Sequence, residues 1–335
     1  MLDLFQQEKS EEVKKSAYLL LRYRTEAKVK NILQNYDHWQ LFDDIGTLKE
    51  ESHSLQCQCM VISPDNQTLF TGGNNDTIKV WDLNIGKLKY TQLVKSGSII
   101  SLDISLDGKT LVDGSKFVKI KVWEIKSDKI RRRQFIKNQG GVSIIFVALS
   151  ADGETLFSGT PYHSTKIWNL KTGSCGGFEG DRWAARSYAI SQNKQTIVTG
   201  MHIINIWDVE TRRLKKTLQS RSEVDIIAIS PNEKNIIGAF IDKTIKVWDV
   251  DSGNIVHTLT GHSDYITSLA ISYDGKNLVS ASREKTIKIW DLNTATLKKT
   301  LHGHSGWVNC IAISPDGEFI TSGSNDGTIK IWGVP

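Results

Sequence analysis

The chain has 335 residues, of which 39% are hydrophobic and 24% are charged, and its formal net charge is +5. These proportions are typical of a soluble globular protein and exclude a disordered or collagen-like chain. No apolar run reaches the roughly 18 residues that a membrane helix needs, and the N-terminus lacks the basic and apolar regions of a secretory signal. The four cysteines form no CxxC pair and no zinc-like cluster with histidine, so we expect a reducing compartment and a cytoplasmic location.

The first 36 residues differ in pattern from the rest of the chain. Their apolar residues recur at helical spacing and predict two short helices, carried by Val13, Ala17, Leu20 and Leu21 and then by Val29, Ile32, Leu33 and Tyr36. Two interpretations of this helical N-terminal extension stay open. It packs against the remainder of the chain, or it docks to a partner or dimerises.

Residues 37–335 contain seven repeats of about 42 residues. A tryptophan marks each repeat, and these tryptophans are Trp81, Trp123, Trp168, Trp207, Trp248, Trp290 and Trp332. A serine keeps step with the tryptophan, 18 residues before it in six repeats and 16 in the fourth, and these serines are Ser63, Ser105, Ser150, Ser191, Ser230, Ser272 and Ser314. Alternating β-branched runs such as TIKIW and turn segments such as SPDG indicate four short strands per repeat. The sequence therefore predicts an all-β fold, a seven-bladed β-propeller.

These motifs resemble the WD-repeat (WD40) family. Two Gly-His pairs match the start of the family's repeat, at Gly261-His262 and Gly303-His304. Four Trp-Asp pairs match the dipeptide that names it, at Trp81-Asp82, Trp207-Asp208, Trp248-Asp249 and Trp290-Asp291. The regular wording of the repeats is most similar to bacterial WD-repeat proteins. The resemblance implies that a strand at about residues 39–48 completes the last blade, which lacks an outer strand of its own.

The resemblance also implies a bracing network in which a histidine, a serine or threonine, an acidic residue and the tryptophan are hydrogen-bonded in series. The last repeat has all four, as His304, Ser322, Asp326 and Trp332. The sixth has His262, Ser280 and Trp290, with Glu284 at the acidic position, and the first has His53, Thr71, Asp76 and Trp81, with Asn75 beside the acidic position. Because the same set recurs in several blades, we interpret it as structural and not catalytic.

Repeats two to four depart most from this pattern. At the histidine position they carry Lys95, Gly140 and Asp181. Two interpretations remain open: simple drift, which a propeller tolerates, or an arc altered to form a binding surface.

Aromatic residues and arginines in the loops after the repeat start are predicted to surround one opening of the ring. They are Trp183, Tyr265, Trp307, Arg182, Arg221 and Arg283, and the neighbouring loops add Tyr162 and His163. Aromatic residues and arginine dominate binding hot spots, so we predict a partner-binding face here, with packing at the blade edges as the alternative. No metal site is predicted, because no carboxylate or thiol joins the histidines at ligand spacing.

Two basic features of the sequence leave open the hypothesis of a nucleic-acid partner. A lysine lies two residues before the tryptophan in six repeats, at Lys79, Lys121, Lys166, Lys246, Lys288 and Lys330. Arg131, Arg132 and Arg133 form the one strong basic run. We interpret the lysines as packing their stems between blades with the amine in water, and the arginines as part of a solvated outer strand.

The predicted function is a non-catalytic scaffold that gathers other proteins on its loop face, since propeller loops present a large preorganised surface. No cofactor and no membrane association are predicted. Two alternatives remain, a nucleic-acid-binding propeller that uses the rim lysines and arginines, and an enzyme with a site in the central channel.

Overall fold

The fold is described from a computed structural model of the chain. The described residues are 38–48, 57–95, 97–116, 119–126, 129–137, 143–161, 165–179, 185–220 and 222–334. The predicted helices of residues 1–36 lie outside these ranges.

Seven antiparallel sheets of four strands each make up the described chain. A short 3-10 turn, His38–Leu41, precedes β1 (Asp43–Leu48). Blade 1 follows with β2 (Cys57–Ile62), β3 (Thr68–Gly73), β4 (Thr77–Asp82) and β5 (Lys87–Leu93), and blade 2 with β6 (Ile99–Ile104), β7 (Thr110–Ser115), β8 (Lys119–Ile125) and β9 (Ile130–Lys137). Blade 3 has β10 (Phe146–Leu149), β11 (Thr155–Gly159), β12 (Lys166–Asn169) and β13 (Cys175–Gly177).

The second half of the ring repeats the same order of strands. Blade 4 has β14 (Ser187–Ile190), β15 (Thr196–Gly200), β16 (Ile203–Asp208) and β17 (Leu214–Gln219), and blade 5 has β18 (Val224–Ile229), β19 (Asn235–Phe240), β20 (Ile245–Asp249) and β21 (Ile255–Leu259). Blade 6 has β22 (Ile266–Ile271), β23 (Asn277–Ser282), β24 (Ile287–Asp291) and β25 (Thr296–Leu301), and blade 7 has β26 (Val308–Ile313), β27 (Phe319–Ser324) and β28 (Ile329–Gly333). The predicted seven-bladed propeller is confirmed.

Blade 7 takes its outer strand from the other end of the chain. β1 pairs with β28 in antiparallel register, with Leu48 opposite Ile329, and the Lys330 amine donates a hydrogen bond to the Asp44 carboxylate. This pairing covers the edge of β28 and closes the ring. The strand is shorter than the 39–48 expected, because Trp39 and Phe42 turn inward, stack at 4.8 Å and join the core beside blades 6 and 7.

The serine series closes the hairpin between the first two strands of every blade. In all seven, the serine hydroxyl lies 2.5–2.7 Å from the side chain of an Asp or Asn two residues later. The same oxygen accepts the backbone N–H five residues later, at 2.9–3.0 Å. A short polar side chain that bonds its own backbone specifies a tight turn, and this local requirement explains the serine at each repeat.

The core lies between neighbouring blades. Ile78 and Val80 of β4, for example, pack in one buried cluster with Leu111 and Trp123 of blade 2. All seven repeat tryptophans are buried. The sheets approach so closely that a Cβ on Gly159 of blade 3 would lie 2.4 Å from the Tyr188 ring of blade 4. Glycine is therefore required where that ring stacks.

Three of the four cysteines lie inside this core. Cys57, Cys59 and Cys310 are buried, and the sulfurs of Cys57 and Cys310 lie 3.4 Å apart where blade 1 meets blade 7.

Two of the lysines that lie two residues before a repeat tryptophan are more deeply buried than expected. Lys79 and Lys121 are each 3% exposed, and the Lys121 amine donates to the backbone carbonyl of Val94. The prediction that these amines reach water is wrong for these two residues, because the packed blades enclose their side chains. Burial lowers the pKa of Lys79. Lys330 lies on the same side of its strand as the tryptophan, with its amine 5.9 Å from the Trp332 ring.

The aspartate of the Trp-Asp pair has a partner that sequence reasoning missed. The Asp82, Asp208 and Asp291 carboxylates each pair with the lysine seven residues later, on the outer strand, at 3.0–3.2 Å. The pair ties the third strand to the fourth, so part of the basic charge on the blade edges is neutralised locally.

No helix within the described ranges is long and apolar enough to cross a membrane.

Candidate partner-binding face and bracing network

Blade 7 contains the complete bracing network in its interior. His304 lies with Nε2 2.7 Å from the Ser322 hydroxyl and Nδ1 2.9 Å from the Asp326 carboxylate, and the Trp332 indole N–H donates to the same hydroxyl at 2.8 Å. Because a carboxylate only accepts, Nδ1 carries the proton, and Ser322 then donates to Nε2. Every member is bonded to another member within the blade.

Blade 6 builds the same network with glutamate at the acidic position. His262 lies 2.6 Å from both Ser280 Oγ and Glu284 Oε1, and Trp290 donates to Ser280 at 2.8 Å. Burial lowers the pKa of His262 against the opposing effect of Glu284. For Glu284 burial acts in the raising direction, but hydrogen bonds led by that from Ser263 hold its pKa at about 2. The neutral ring and the ionised carboxylate form one compatible pair.

Blade 1 corrects one predicted member of its network. Asn75 lies six residues before Trp81, as Asp326 does before Trp332, and its side chain accepts from Thr77 at 2.8 Å. Asp76 instead occupies the left-handed turn position, with φ 57°, where blade 7 has a glycine. Trp81 donates to Thr71 at 3.0 Å. Asn75, and not Asp76, therefore stands at the acidic position, and His53 lies outside the described residues.

The bond from the indole to the second strand survives in blades whose histidine position has changed. Trp168 donates to Ser158 at 2.9 Å and Trp207 to Thr199 at 3.0 Å. In blade 5 the corresponding residue is Gly238, and the buried Trp248 indole N–H has no partner among the described residues. The departures from the family pattern are thus graded, with blade 5 the only one of these that loses the indole bond.

Blade 2 places a carboxylate where the other blades have a hydroxyl. Asp113 is fully buried, and one of its oxygens accepts the Trp123 indole N–H at 2.6 Å. Its other oxygen has no hydrogen-bond partner among the described residues. Burial raises the pKa of Asp113 to about 7, although the Trp123 bond and the nearby Lys121 charge lower it. Comparison of this position with the hydroxyls of other repeats, at the tenth residue before the tryptophan, would have revealed it in the sequence.

A cavity of about 940 Å³ opens at the end of the ring where the innermost strands begin. Six blades contribute to its lining, so it is the mouth of the central channel. Its aromatic lining residues are Tyr265 and Trp307, which are 40% and 45% exposed. Pockets of a few hundred to about 1,000 Å³ are typical of ligand sites.

Arg283 joins the two aromatic residues into one cluster. Its guanidinium carbon lies 5.3 Å from the centroid of the Tyr265 ring and 4.8 Å from that of Trp307. A backbone bond holds two of them together, since Arg283 N–H donates to the Tyr265 carbonyl at 3.0 Å. We call these three residues the rim cluster. Cation–π attraction favours the guanidinium beside the rings.

The lining of the cavity on blades 4 and 5 is acidic. Arg186 pairs with Glu223 at 2.6 Å, and Asp225 also lines the cavity. Burial raises the pKa of Asp225, with the Arg186 charge acting in the opposite direction. The mouth therefore carries both signs of charge, on different blades.

Of the predicted face, the structure brings together Tyr265, Arg283 and Trp307. Five others lie outside the described residues: Trp183, Arg182, Arg221, Tyr162 and His163. No group of three or more histidines, cysteines or carboxylates that could hold a metal ion occurs in the described part of the chain.

The opposite end of the channel is crossed by an ion pair that the sequence did not indicate. The Lys194 amine, in the turn after β14, lies 2.6 and 2.8 Å from the two oxygens of Asp103 on β6. The same carboxylate accepts the backbone N–H of Leu149 on β10 at 2.8 Å. One carboxylate thus ties blades 2, 3 and 4, which makes this arc rigid in spite of its divergent repeats.

Comparison with known families matches four stretches of the chain to WD40, described as WD domain, G-beta repeat: residues 44–82, 212–249, 253–291 and 295–333. Each stretch begins near the outer strand of one blade and ends with the third strand of the next.

Among known proteins, a segment of 86 residues is 33% identical to Autophagy-related protein 16 of Arabidopsis thaliana and covers 25% of this chain and 17% of that protein. A segment of 89 residues is 40% identical to Nuclear distribution protein PAC1 of Komagataella phaffii and covers 24% of this chain and 18% of that protein. WD repeat and SOCS box-containing protein 1 of Homo sapiens is 33% identical over 86 residues, covering 24% and 20%. The matched segments therefore span a fifth or less of each relative, and all three relatives are eukaryotic. The chain thus has seven four-stranded blades, and four stretches of it are similar to the WD40 repeat.

Proposed function

We propose that this chain is a non-catalytic scaffold that binds other proteins through the rim cluster at the mouth of the central cavity. The observation that carries the proposal is the exposure of two aromatic rings and an arginine, side by side, beside a cavity of about 940 Å³. Such residues are enriched in hot spots, where rigid side chains lose little entropy on binding. The WD40 repeats support the same conclusion, because propellers of this family typically bind proteins.

The closed ring supports the proposal from a second direction. The loops that carry Tyr265 and Trp307 are anchored on strands held by complete bracing networks, in blades 6 and 7. A preorganised surface of this kind costs little to order when a partner binds. The histidine, hydroxyl and carboxylate sets of those blades are buried and mutually bonded, which favours a structural role over catalysis.

Affinity capture from lysate of the native host, with and without nuclease, tests the proposal. We expect protein partners that survive nuclease and that are lost with Y265A and W307A. Y273A is the matched control, because Tyr273 is also exposed on blade 6 but lies in the turn after β22, at the other end of the strand. Equal capture by the wild type and all three variants would show that the rim cluster is not the binding face.

A nucleic-acid-binding role is the second candidate, favoured by one observation. Arg131, Arg132 and Arg133 are all exposed on β9, the longest outer strand of the described chain. Binding of this kind weakens steeply with salt. Filter binding of DNA and RNA at 50 and 200 mM salt, with a triple alanine variant of the three arginines, therefore distinguishes a nucleic-acid partner from a protein partner.

The cytoplasmic location and the bacterial type of the repeats stay predictions from sequence.

A further inference from the structure

Arg283 lies beside two aromatic rings and is exposed. The guanidinium carbon is 5.3 Å from the centroid of the Tyr265 ring and 4.8 Å from that of Trp307, and the side chain is exposed. A guanidinium carries five N–H donors in one plane, which is the geometry that receives two oxygens of one planar acid.

The carboxylates that adjoin Arg283 and Tyr265 in the chain accept hydrogen bonds from other groups. Glu284 accepts from Ser263 N at 2.7 Å and lies 2.6 Å from His262 Nδ1, and Asp264 accepts the backbone N–H of Tyr265 at 2.7 Å. Arg283 forms no ion pair with any residue that the structure describes. An exposed cation, held by two aromatic rings and left without an acid, is complementary to an acid from another molecule.

The charge of the cavity favours a singly charged acid. Arg186, the other arginine of the lining, is already paired with Glu223 at 2.6 Å, and Asp225 adds a carboxylate. A phosphoryl group carries up to two negative charges and is usually bound by several arginines. One free guanidinium in a lining that also contains an acid matches a carboxylate better.

We infer that the rim cluster binds a protein segment through an Asp or Glu carboxylate that pairs with Arg283, while an adjacent apolar side chain of that segment packs on Tyr265 or Trp307. This inference rests on the proposed function and names the class of partner. The cavity gives room for the residues that flank the acid, and Asp225 on the neighbouring blade 5 disfavours a second acidic residue beside it.

The test uses the full chain and a phage-displayed library of random 12-residue peptides. We expect the enriched peptides to carry Asp or Glu next to an apolar residue. Fluorescence anisotropy with synthetic copies of these peptides measures the affinity. R283E should bind them at least about tenfold more weakly than the wild type does, since a lost charge-assisted pair costs that factor. R132E is the control with the same charge change, placed on the outer strand β9, and should bind as the wild type does. A peptide with the acid changed to Lys should regain affinity for R283E.

Four results would overturn the inference. Enriched peptides without a preference for Asp or Glu, or equal losses in R283E and R132E, would show that Arg283 does not select the partner. Tighter binding when phosphoserine replaces the acid would make the ligand a phosphoryl group. Failure to enrich any peptide would also reject it. If protein capture is still lost in Y265A and W307A under any of these results, the proposed function stands and only the partner class is wrong.

Discussion

Replacing Asp113 with asparagine should stabilise the protein at neutral and alkaline pH. The carboxyl is fully buried with one oxygen lacking a partner among the described residues, and burial raises its pKa from 3.8 to about 7. The folded protein therefore holds a proton that the unfolded chain releases between pH 4 and pH 7. In this window each pH unit removes about 1.4 kcal/mol from the free energy of unfolding, so the carboxylate costs on the order of 4 kcal/mol above pH 7.

The free energy of unfolding of the wild type falls as the pH rises, because the folded protein accommodates the protonated, neutral form of Asp113 and not the carboxylate. Asparagine has the shape of that neutral form and still offers an oxygen to the Trp123 indole, but it does not titrate. The difference in unfolding free energy between D113N and the wild type should therefore change in favour of D113N by about 3 kcal/mol from pH 5 to pH 8, and then level off.

Urea unfolding at pH 5, 6, 7 and 8 measures this difference. D251N is the matched control, because it makes the same substitution at an exposed aspartate, in the turn after β20. D113T adds a second variant, since two other blades carry threonine at this position, and it should show the same pH profile as D113N. A difference between D113N and the wild type that stays constant from pH 5 to pH 8 would refute the reasoning.

The other predictions concern the bracing network and the closure of the ring. W290F should lower the free energy of unfolding by about 1–3 kcal/mol more than W248F in urea titrations, because only Trp290 has an acceptor for its indole N–H, and equal losses would contradict this. E284Q should cost about 1–3 kcal/mol at pH 7, and because the pKa of Glu284 is held at about 2, the loss relative to the wild type should shrink as the pH falls from 4.5 towards 2. Deletion of residues 1–48 should produce oligomers in size-exclusion chromatography by exposing the edge of β28, whereas deletion of 1–36 keeps β1; a monomeric 1–48 deletion would count against the closure.

The repeat pattern predicts the architecture because its determinants are local. Each blade has its own serine turn, with a hydroxyl bonded two and five residues away, and its own tryptophan. A two-residue alternation of apolar and polar residues indicates a strand, and a short polar residue indicates the turn. Strands and turns can therefore be predicted from the sequence of a single repeat. The number and order of blades therefore follow from the sequence, and so does the network of blade 7.

The details that differ between repeats were harder to predict. The acidic side chain of Asp76 favours it over Asn75 for the bracing network, but Asp76 occupies the left-handed turn position. The long stems of Lys79 and Lys121 predict amines that reach water, yet the neighbouring blades enclose them. In each case the residue type suggested one role and the packing assigned another.

The sequence alone determined that this chain folds as seven blades, because most contacts within a blade join residues at most about twenty positions apart. Only the tertiary structure decided that Arg283 lies beside both Tyr265 and Trp307, that Asp113 is a buried acid, and that Lys194 reaches Asp103 across 91 residues. These contacts join elements of different repeats, or depend on how closely two sheets approach. Spacing along one repeat carries no information about them, because the closing of the ring, and not the local pattern, brings their atoms together.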